Sequence, residues 1–205
     1  MTFEELTNKV VRLESQINEY VSRKQQLSFP LDDTSQRIIR EILSSSGSGM
    51  TLIDSGDIAT DLTIPDLKGD TDGMYKLIVS ADHSTAFDMA FQINGDTGGN
   101  YEYLRHYSSK QGAGAPAAGT DFSTAQTLFK ASFITQKNYI CELNINALSG
   151  KKRVISSHCV GVDGAANYYD TINALGVWTN TADEITSITI KTGAITGGKY
   201  ALFKL

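Results

Sequence analysis

The chain has 205 residues, a formal net charge of -5, 18 glycines, two cysteines and 40% hydrophobic residues. A chain of this length can bury a hydrophobic core without disulfides or metals, and it suits one ordinary domain plus a smaller element. The charge is mild and the basic residues are spread out, which argues against nucleic acid and anionic membrane surfaces as partners. No stretch approaches the roughly 20 apolar residues of a membrane span, and the first residues lack a signal-peptide pattern, so we expect cytoplasmic synthesis and no membrane insertion.

The first 43 residues contain no glycine and repeat apolar residues at alternating spacings of three and four. One seam position holds Phe3, Val10, Ile17 and Lys24, and the other holds Leu6, Leu13, Tyr20 and Leu27. This spacing predicts a coiled-coil stalk over residues 1–29, ended by Pro30. A helix of so few heptads is only marginally stable by itself, so the stalk needs partner chains. The seam residues do not determine how many chains associate. The alternative is one amphipathic helix packed on the rest of its own chain.

Residues 30–49 predict a short connecting segment. Asp32, Asp33, Thr34 and Ser35 offer helix N-caps, and a second helix is expected to run through Leu43. The Ser- and Gly-rich residues 44–49 then predict a flexible hinge.

Residues 50–205 predict a β head, because short β-branched and aromatic runs alternate with Gly, Asn and Asp clusters. The expected strands cover residues 74–80, 86–93, 101–106, 127–134, 138–145, 153–160, 176–178, 185–191 and 199–204. The fold class is therefore mainly β, an antiparallel β-sandwich. Between these strands, residues 112–119 read as an exposed low-complexity loop, either functional or a tolerated insertion.

Alternation within one expected strand indicates which face is buried. Tyr139, Cys141, Leu143 and Ile145 alternate with Ile140, Glu142, Asn144 and Asn146. This predicts a strand with one buried face, followed by a compact turn at Ser149 and Gly150. Cys141 and Cys159 are both expected in strands, and we favour free apolar thiols over a disulfide because cytosolic proteins rarely hold one.

Two acidic glycine turns, residues 69–73 and 95–99, invite a calcium interpretation. Each offers only one or two carboxylates, whereas Ca²⁺ takes six to eight oxygens. Asp and Gly also build tight turns, and this structural interpretation is favoured. No metal site and no cofactor are therefore predicted.

Nothing in the sequence predicts an enzyme. His83, His106 and His158 are far apart, no cysteine pair has zinc spacing, and no nucleophile elbow or phosphate-binding glycine loop is present. Scattered carboxylates leave a glycosidase pair open, because such pairs are defined in space.

Six aromatic residues are candidates for stacking on sugar rings. They are Tyr101, Tyr103, Tyr107, Tyr168, Tyr169 and Trp178. Positions in the core or at a subunit interface explain them equally well, because Tyr and Trp bury large apolar areas while their O–H or N–H group keeps a hydrogen-bond partner. Both interpretations remain open at this point.

Three segments carry distinctive motifs: residues 69–78 (GDTDGMYKLI), residues 91–101 (FQINGDTGGNY) and residues 185–203. In this order they resemble the opening turn and strand, the INGD-x-G-x-NY segment and the closing pair of strands of the C-terminal β-domains of tailed-bacteriophage fibre proteins. The resemblance extends over residues 69–205, about two-thirds of the chain.

The resemblance implies a jelly-roll-like head, three copies around an axis, and a virion component made in the host cytoplasm. Its N-terminus would attach to capsid or tail proteins, and its head would be displayed, with host-surface carbohydrate as a candidate ligand. We expect a short capsid-borne head fibre or decoration protein without enzymatic activity. A tail receptor-binding protein is the alternative, followed by a glycan-degrading tailspike enzyme and an assembly scaffold.

Overall fold

The computed structural model describes residues 49–83, 89–110, 116–131, 138–163, 168–193 and 195–205, with the side chains of residues 162, 163, 168 and 169 left aside. All of them belong to the unit Leu43–Leu205. The elements, in chain order, are β1 (Thr51–Ile58), β2 (Leu62–Ile64), the one-turn helix α1 (Gly69–Asp72), β3 (Met74–His83), β4 (Ala90–Ile93), β5 (Tyr101–Lys110), β6 (Ala117–Gln126), β7 (Phe129–Lys130), β8 (Asn138–Asn146), β9 (Arg153–Asp163), β10 (Tyr168–Trp178), β11 (Ile188–Lys191) and β12 (Ile195–Lys204).

The strands form two antiparallel sheets of unequal size. The larger sheet has the order β1-β12-β3-β8-β9-β10-β5-β6, and the smaller has the order β2-β11-β4-β7. The prediction of a mainly β, sandwich-like head is confirmed. The coiled-coil prediction for residues 1–29, with seam residues Phe3, Leu6, Val10, Leu13, Ile17, Tyr20 and Leu27, lies outside the described residues, as does the helix expected before residue 44.

The core lies between the sheets and follows the predicted alternation. In β8, Tyr139, Cys141, Leu143 and Ile145 are buried, whereas the residues between them are half-buried or exposed. The same period of two buries one face of β3 and of β9, because successive side chains of a strand point to opposite faces. No helix in the part of the chain described above has the length and apolar character to span a bilayer.

Several predicted strand limits are wrong. Strand β10 begins at Tyr168 rather than at residue 176, and β1, β2 and β6 were not predicted. The predicted loop 112–119 ends in strand, because Ala117 to Gly119 belong to β6. Strand β6 is poor in large apolar residues, and pairing with β5 and β12 stabilises the two edge strands β6 and β1.

One end of the sandwich is closed by contacts around the buried Trp178, the last residue of β10. Its indole N–H donates to Asp96, which follows β4 of the smaller sheet, at 2.6 Å. Arg153, fully buried at the start of β9, lies over the indole with its guanidinium carbon 5.0 Å from the ring centroid. It donates to the backbone carbonyls of Asn180 and Asp183 in the segment between β10 and β11. We call this arrangement the Trp178 corner.

Two further side chains fix elements beside the Trp178 corner, Tyr101 between the two sheets and Asn94 within the smaller one. The Tyr101 hydroxyl, at the start of β5, accepts a hydrogen bond from the backbone N–H of Ile93 at 2.7 Å. Asn94, with a φ of 53°, accepts hydrogen bonds from the backbone N–H groups of Thr186 and Ser187 at 2.8 and 3.1 Å. Asn tolerates this left-handed conformation better than most residues. The INGD segment is therefore a structural joint.

The expectation of free thiols is wrong, because Cys141 and Cys159 form a disulfide. They lie directly opposite each other in the β8–β9 pairing, their Cα atoms are 4.1 Å apart, and both side chains are buried. A close antiparallel pair brings side chains together across the ladder. The prediction rested on the rarity of disulfides in cytosolic proteins, which says nothing about strand register. The β8–β9 register is what places the two sulfurs together.

We predict that removing the disulfide costs stability through the unfolded state. The two cysteines are separated by 18 residues in sequence, and closing a loop of that size stabilises a fold by about 3 kcal/mol in the chain-entropy model. The double variant Cys141→Ala/Cys159→Ala should show a correspondingly lower free energy of unfolding in urea. Reductant should lower the midpoint of the wild type and leave that of the variant unchanged. Equal sensitivity of both proteins to reductant would contradict the bridge.

Candidate binding face of the eight-stranded sheet

The outward side chains of the larger sheet form one continuous face opposite the core. On β8, β9 and β10 the outward residues are those that alternate with the buried Cys141, Cys159 and Ile172. The strand registers align these outward residues into rows that run across the sheet. We call this surface the outer face.

A polar row crosses the middle of the outer face. Its members, each opposite the next in register, are Glu142, His158, Asn173, His106 and Thr120. His158 Nδ1 lies 2.8 Å from Asn173 Oδ1, and since the amide oxygen only accepts, the imidazole nitrogen is the donor. His106 Nδ1 and Thr120 Oγ1 share a hydrogen bond of 2.9 Å. His158, Asn173, His106 and Thr120 are all exposed, so the row offers hydrogen-bonding groups to a ligand.

Glu142 is held at one end of the polar row by Lys76, which lies on β3. Their Nζ–Oε1 distance is 2.8 Å. The hydrogen bond from Lys76 lowers the pKa of Glu142, partial burial opposes this shift, and the charge of Lys76 adds to it. Both side chains are about a quarter or more exposed, so the pair contributes little to stability, about 1 kcal/mol at most. The carboxylate therefore stays ionised and paired near neutral pH.

Apolar side chains flank the polar row on both sides. Ile140 lies opposite Val160, and we call these two residues the Ile140 cluster. On the other side, Phe122, Leu104 and Leu175 lie opposite one another, followed along β10 by Val177, which lies opposite Val154. We call these five residues the Leu175 cluster. Phe122 is 66% exposed, Ile140 57% and Leu175 56%.

Three of the aromatic residues predicted to bind glycans lie in the core instead. Tyr101 and Trp178 are completely buried and Tyr103 is 2% exposed, so their rings are closed to a sugar. The glycan prediction is wrong for these three, and the core interpretation is confirmed for them. Their size explains the burial, because such rings contribute most when fully packed.

The remaining aromatic candidates are placed only in part. Tyr107 is half-buried and packs against the core. Tyr168 and Tyr169 lie at the start of β10, and their side chains are outside the described atoms. Phe122 and the polar row were not predicted as parts of a site, since only the strand register shows that they share a face.

The first acidic glycine turn forms α1 and serves to join elements. Asp70 accepts hydrogen bonds from the backbone N–H and hydroxyl of Ser149, at 2.6 and 2.9 Å. Asp72 accepts from the hydroxyl of Tyr75 at 2.8 Å and from Lys204 at 3.1 Å. Within the described ranges, no group of three or more possible metal ligands occurs. Both carboxylates are thus taken up by protein donors, as the turn-building interpretation expects.

The second turn holds Asp96 in the same manner. Besides the Trp178 indole, its carboxylate accepts the backbone N–H of Gly98 at 2.8 Å and the Asn100 amide at 2.9 Å. Partial burial acts to raise the pKa of Asp96, but the hydrogen bonds from Trp178, Gly98 and Asn100 outweigh it and lower the pKa. The carboxylate is accordingly part of the Trp178 corner.

Comparison with known proteins gives a structural likeness alone. No protein-family model matches the sequence, and no curated protein matches it either. One solved structure similar to this chain is galectin LEC-6 from Caenorhabditis elegans, with a TM-score of 0.31 and 14% sequence identity. The match covers 71% of this chain and 94% of that chain.

We predict that Asp96 makes stability sensitive to acid. Because folding lowers its pKa, its contribution is complete above the unfolded value of about 3.9 and is lost as the pH falls through the folded value. Asp96→Asn should lower the free energy of unfolding at pH 7 by about 1–3 kcal/mol, since buried donors lose a charged acceptor. Urea unfolding at pH 7, 5 and 3 should show a smaller acid loss in the variant. The exposed Asp57→Asn serves as control, and parallel acid losses in wild type and D96N would contradict this role.

We also predict that the outer face tolerates polar substitution. Leu175→Thr and Phe122→Thr should each change the free energy of unfolding of the head by no more than about 0.5 kcal/mol, because both side chains are exposed. Leu143→Ala, on the buried face of β8, should cost about 2–5 kcal/mol. Chemical denaturation of the three variants in a fragment of residues 50–205, which lacks the expected stalk, checks the contrast at low protein concentration. A large loss for either Thr variant would mean that its side chain packs within a single head.

Proposed function

We propose that this chain is a structural virion protein of a tailed bacteriophage, a trimeric short head fibre without enzymatic activity. In this proposal residues 1–29 form the coiled-coil stalk that attaches to the capsid, and residues 50–205 form a jelly-roll-like head displayed on the particle surface. The observation that carries the proposal is the order and spacing of the three fibre-like segments after a heptad repeat.

The positions of the fibre-like segments support the proposal. Residues 69–78 build α1 and the start of β3, residues 91–101 build the turn with Asp96 at the Trp178 corner, and residues 185–203 build β11 and most of β12. All three segments are therefore parts that define the sandwich. A likeness in these segments is a likeness in the parts that determine the architecture of the head.

Display on a capsid suits a head whose single contacts are weak. Many copies on one particle would compensate for weak contacts of each head through avidity.

A tail-borne receptor-binding protein is the second candidate, and the polar row is the observation that favours it. The imidazole and amide groups of His158, Asn173 and His106 are exposed and suit the hydroxyl groups of host-surface carbohydrate. Mass spectrometry and immunogold labelling of purified particles separate the candidates. Labelling on the capsid supports the head fibre, labelling on the tail supports the adhesin, and absence from particles favours an assembly scaffold.

We predict that the full chain has three times the chain mass of 22.2 kDa in light scattering. Leu13→Asp should lower that mass, because a carboxylate at a seam position cannot be buried between helices. Ser15→Asp is the matched control, because residue 15 lies in the same turn but is not a seam position, and it should leave the mass unchanged. A monomeric wild-type chain would rule out the trimeric fibre.

A further inference from the structure

Exposed large apolar side chains are concentrated on the outer face. Five of the nine large apolar residues classed as exposed in the described part of the chain lie there on β6, β8, β9 and β10. They are Phe122, Ile140, Val154, Val160 and Leu175. A contiguous apolar surface on a folded domain marks an interaction site, whereas singly scattered residues do not.

The two apolar clusters are offset diagonally across the polar row. Val160 of the Ile140 cluster lies opposite Thr171, and Leu175 of the other cluster comes four residues further along β10. Four residues of strand correspond to about 13 Å. The outer face therefore carries two separate apolar surfaces rather than one central patch.

We propose that the outer face is where copies of this chain contact one another, with the Ile140 cluster of one head packing against the Leu175 cluster of the next. This inference rests on the proposed trimeric fibre and names the surface that its heads share. Two different surfaces meeting head to tail make a heterologous contact, and such contacts close into a ring when the rotation between copies is a third of a turn. The polar row between the clusters then supplies hydrogen bonds at the contact.

The charge distribution favours a second copy as the occupant. The chain has a formal charge of -5, so identical copies repel one another on average. Yet the outward positions of β8, β9, β10, β5 and β6 bring few carboxylates, chiefly Glu102 and the Glu142 that is paired with Lys76. The face is thus the surface on which like-charged copies approach at low electrostatic cost.

The outer face is large enough for two small contacts. Eight strands at about 4.8 Å spacing and roughly ten residues of length give about 1,000 Å², or about 500 Å² for each of the two neighbours in a ring, which is less than the about 800 Å² per partner of a standard interface. A stalk that joins the chains would hold the heads at roughly millimolar effective concentration, so a modest interface suffices. The aliphatic character of Ile140, Val160 and Leu175 also suits protein packing better than sugar stacking, which uses aromatic rings.

Hydroxyl-radical footprinting of the full chain, combined with light scattering, tests this inference. We expect Phe122 and Leu175 to be oxidised much more slowly than their intrinsic reactivity and their exposure in the single chain predict, whereas Leu148, in the turn after β8, should react as its exposure predicts. In Phe122→Asp/Leu175→Asp, protection of Ile140 and Val160 should be lost. Leu148→Asp, in the turn between β8 and β9, is the matched control, and circular dichroism verifies that each variant is folded.

The possible outcomes distinguish a failure of this inference from a failure of the proposed function. A trimer in which Phe122 and Leu175 are oxidised as fast as their exposure in the single chain predicts overturns the inference and leaves the proposed fibre in place, with its heads not in contact. A monomer overturns both. A dimer with a protected outer face supports the contact between copies but contradicts the threefold fibre. Protection that appears only after purified bacterial lipopolysaccharide is added overturns the inference in favour of a glycan site.

Discussion

The sandwich depends on the way the two sheets are joined at the Trp178 corner. An eight-stranded sheet has one face that must be covered, and the smaller sheet has only four strands. The indole of Trp178 comes from the larger sheet, its carboxylate partner Asp96 follows a strand of the smaller one, and Arg153 holds the connecting segment. Burying a guanidinium and an indole N–H is costly unless their donors are paired, and here both terminal guanidinium nitrogens of Arg153 and the indole N–H have acceptors. These directional bonds favour one relative position of the sheets.

Much of the head was predictable because its strands follow simple local rules. The alternation in β8 identified its buried face, and the glycine turns marked the ends of strands. Strand β6 was not predictable in this way, since its sequence of small and polar residues has little strand propensity and is stabilised by pairing with β5. The disulfide was missed for a related reason, because the partnership of Cys141 and Cys159 is a property of register.

The candidate site was the least predictable part. Trp178 was a candidate for stacking on a sugar and is buried, whereas the exposed Leu175 and Val160 were not singled out in the sequence. Where apolar residues occupy both faces of a strand, as in β9 and β10, a period of two does not say which face is inside. The contrast between a covered inner face and a bare outer one appears only after the strands are placed in order.

Burial of the disulfide limits when it can form or be reduced. Both sulfurs lie beneath the paired strands β8 and β9, so neither an oxidant nor a reductant reaches them while the sandwich stays closed. The bridge must form while the chain is still open or during a transient opening. A population folded in a reducing cytoplasm and one folded after cell lysis would then persist as two chemically distinct forms. The redox state of this cysteine pair therefore reports whether a head closed under reducing or under oxidising conditions.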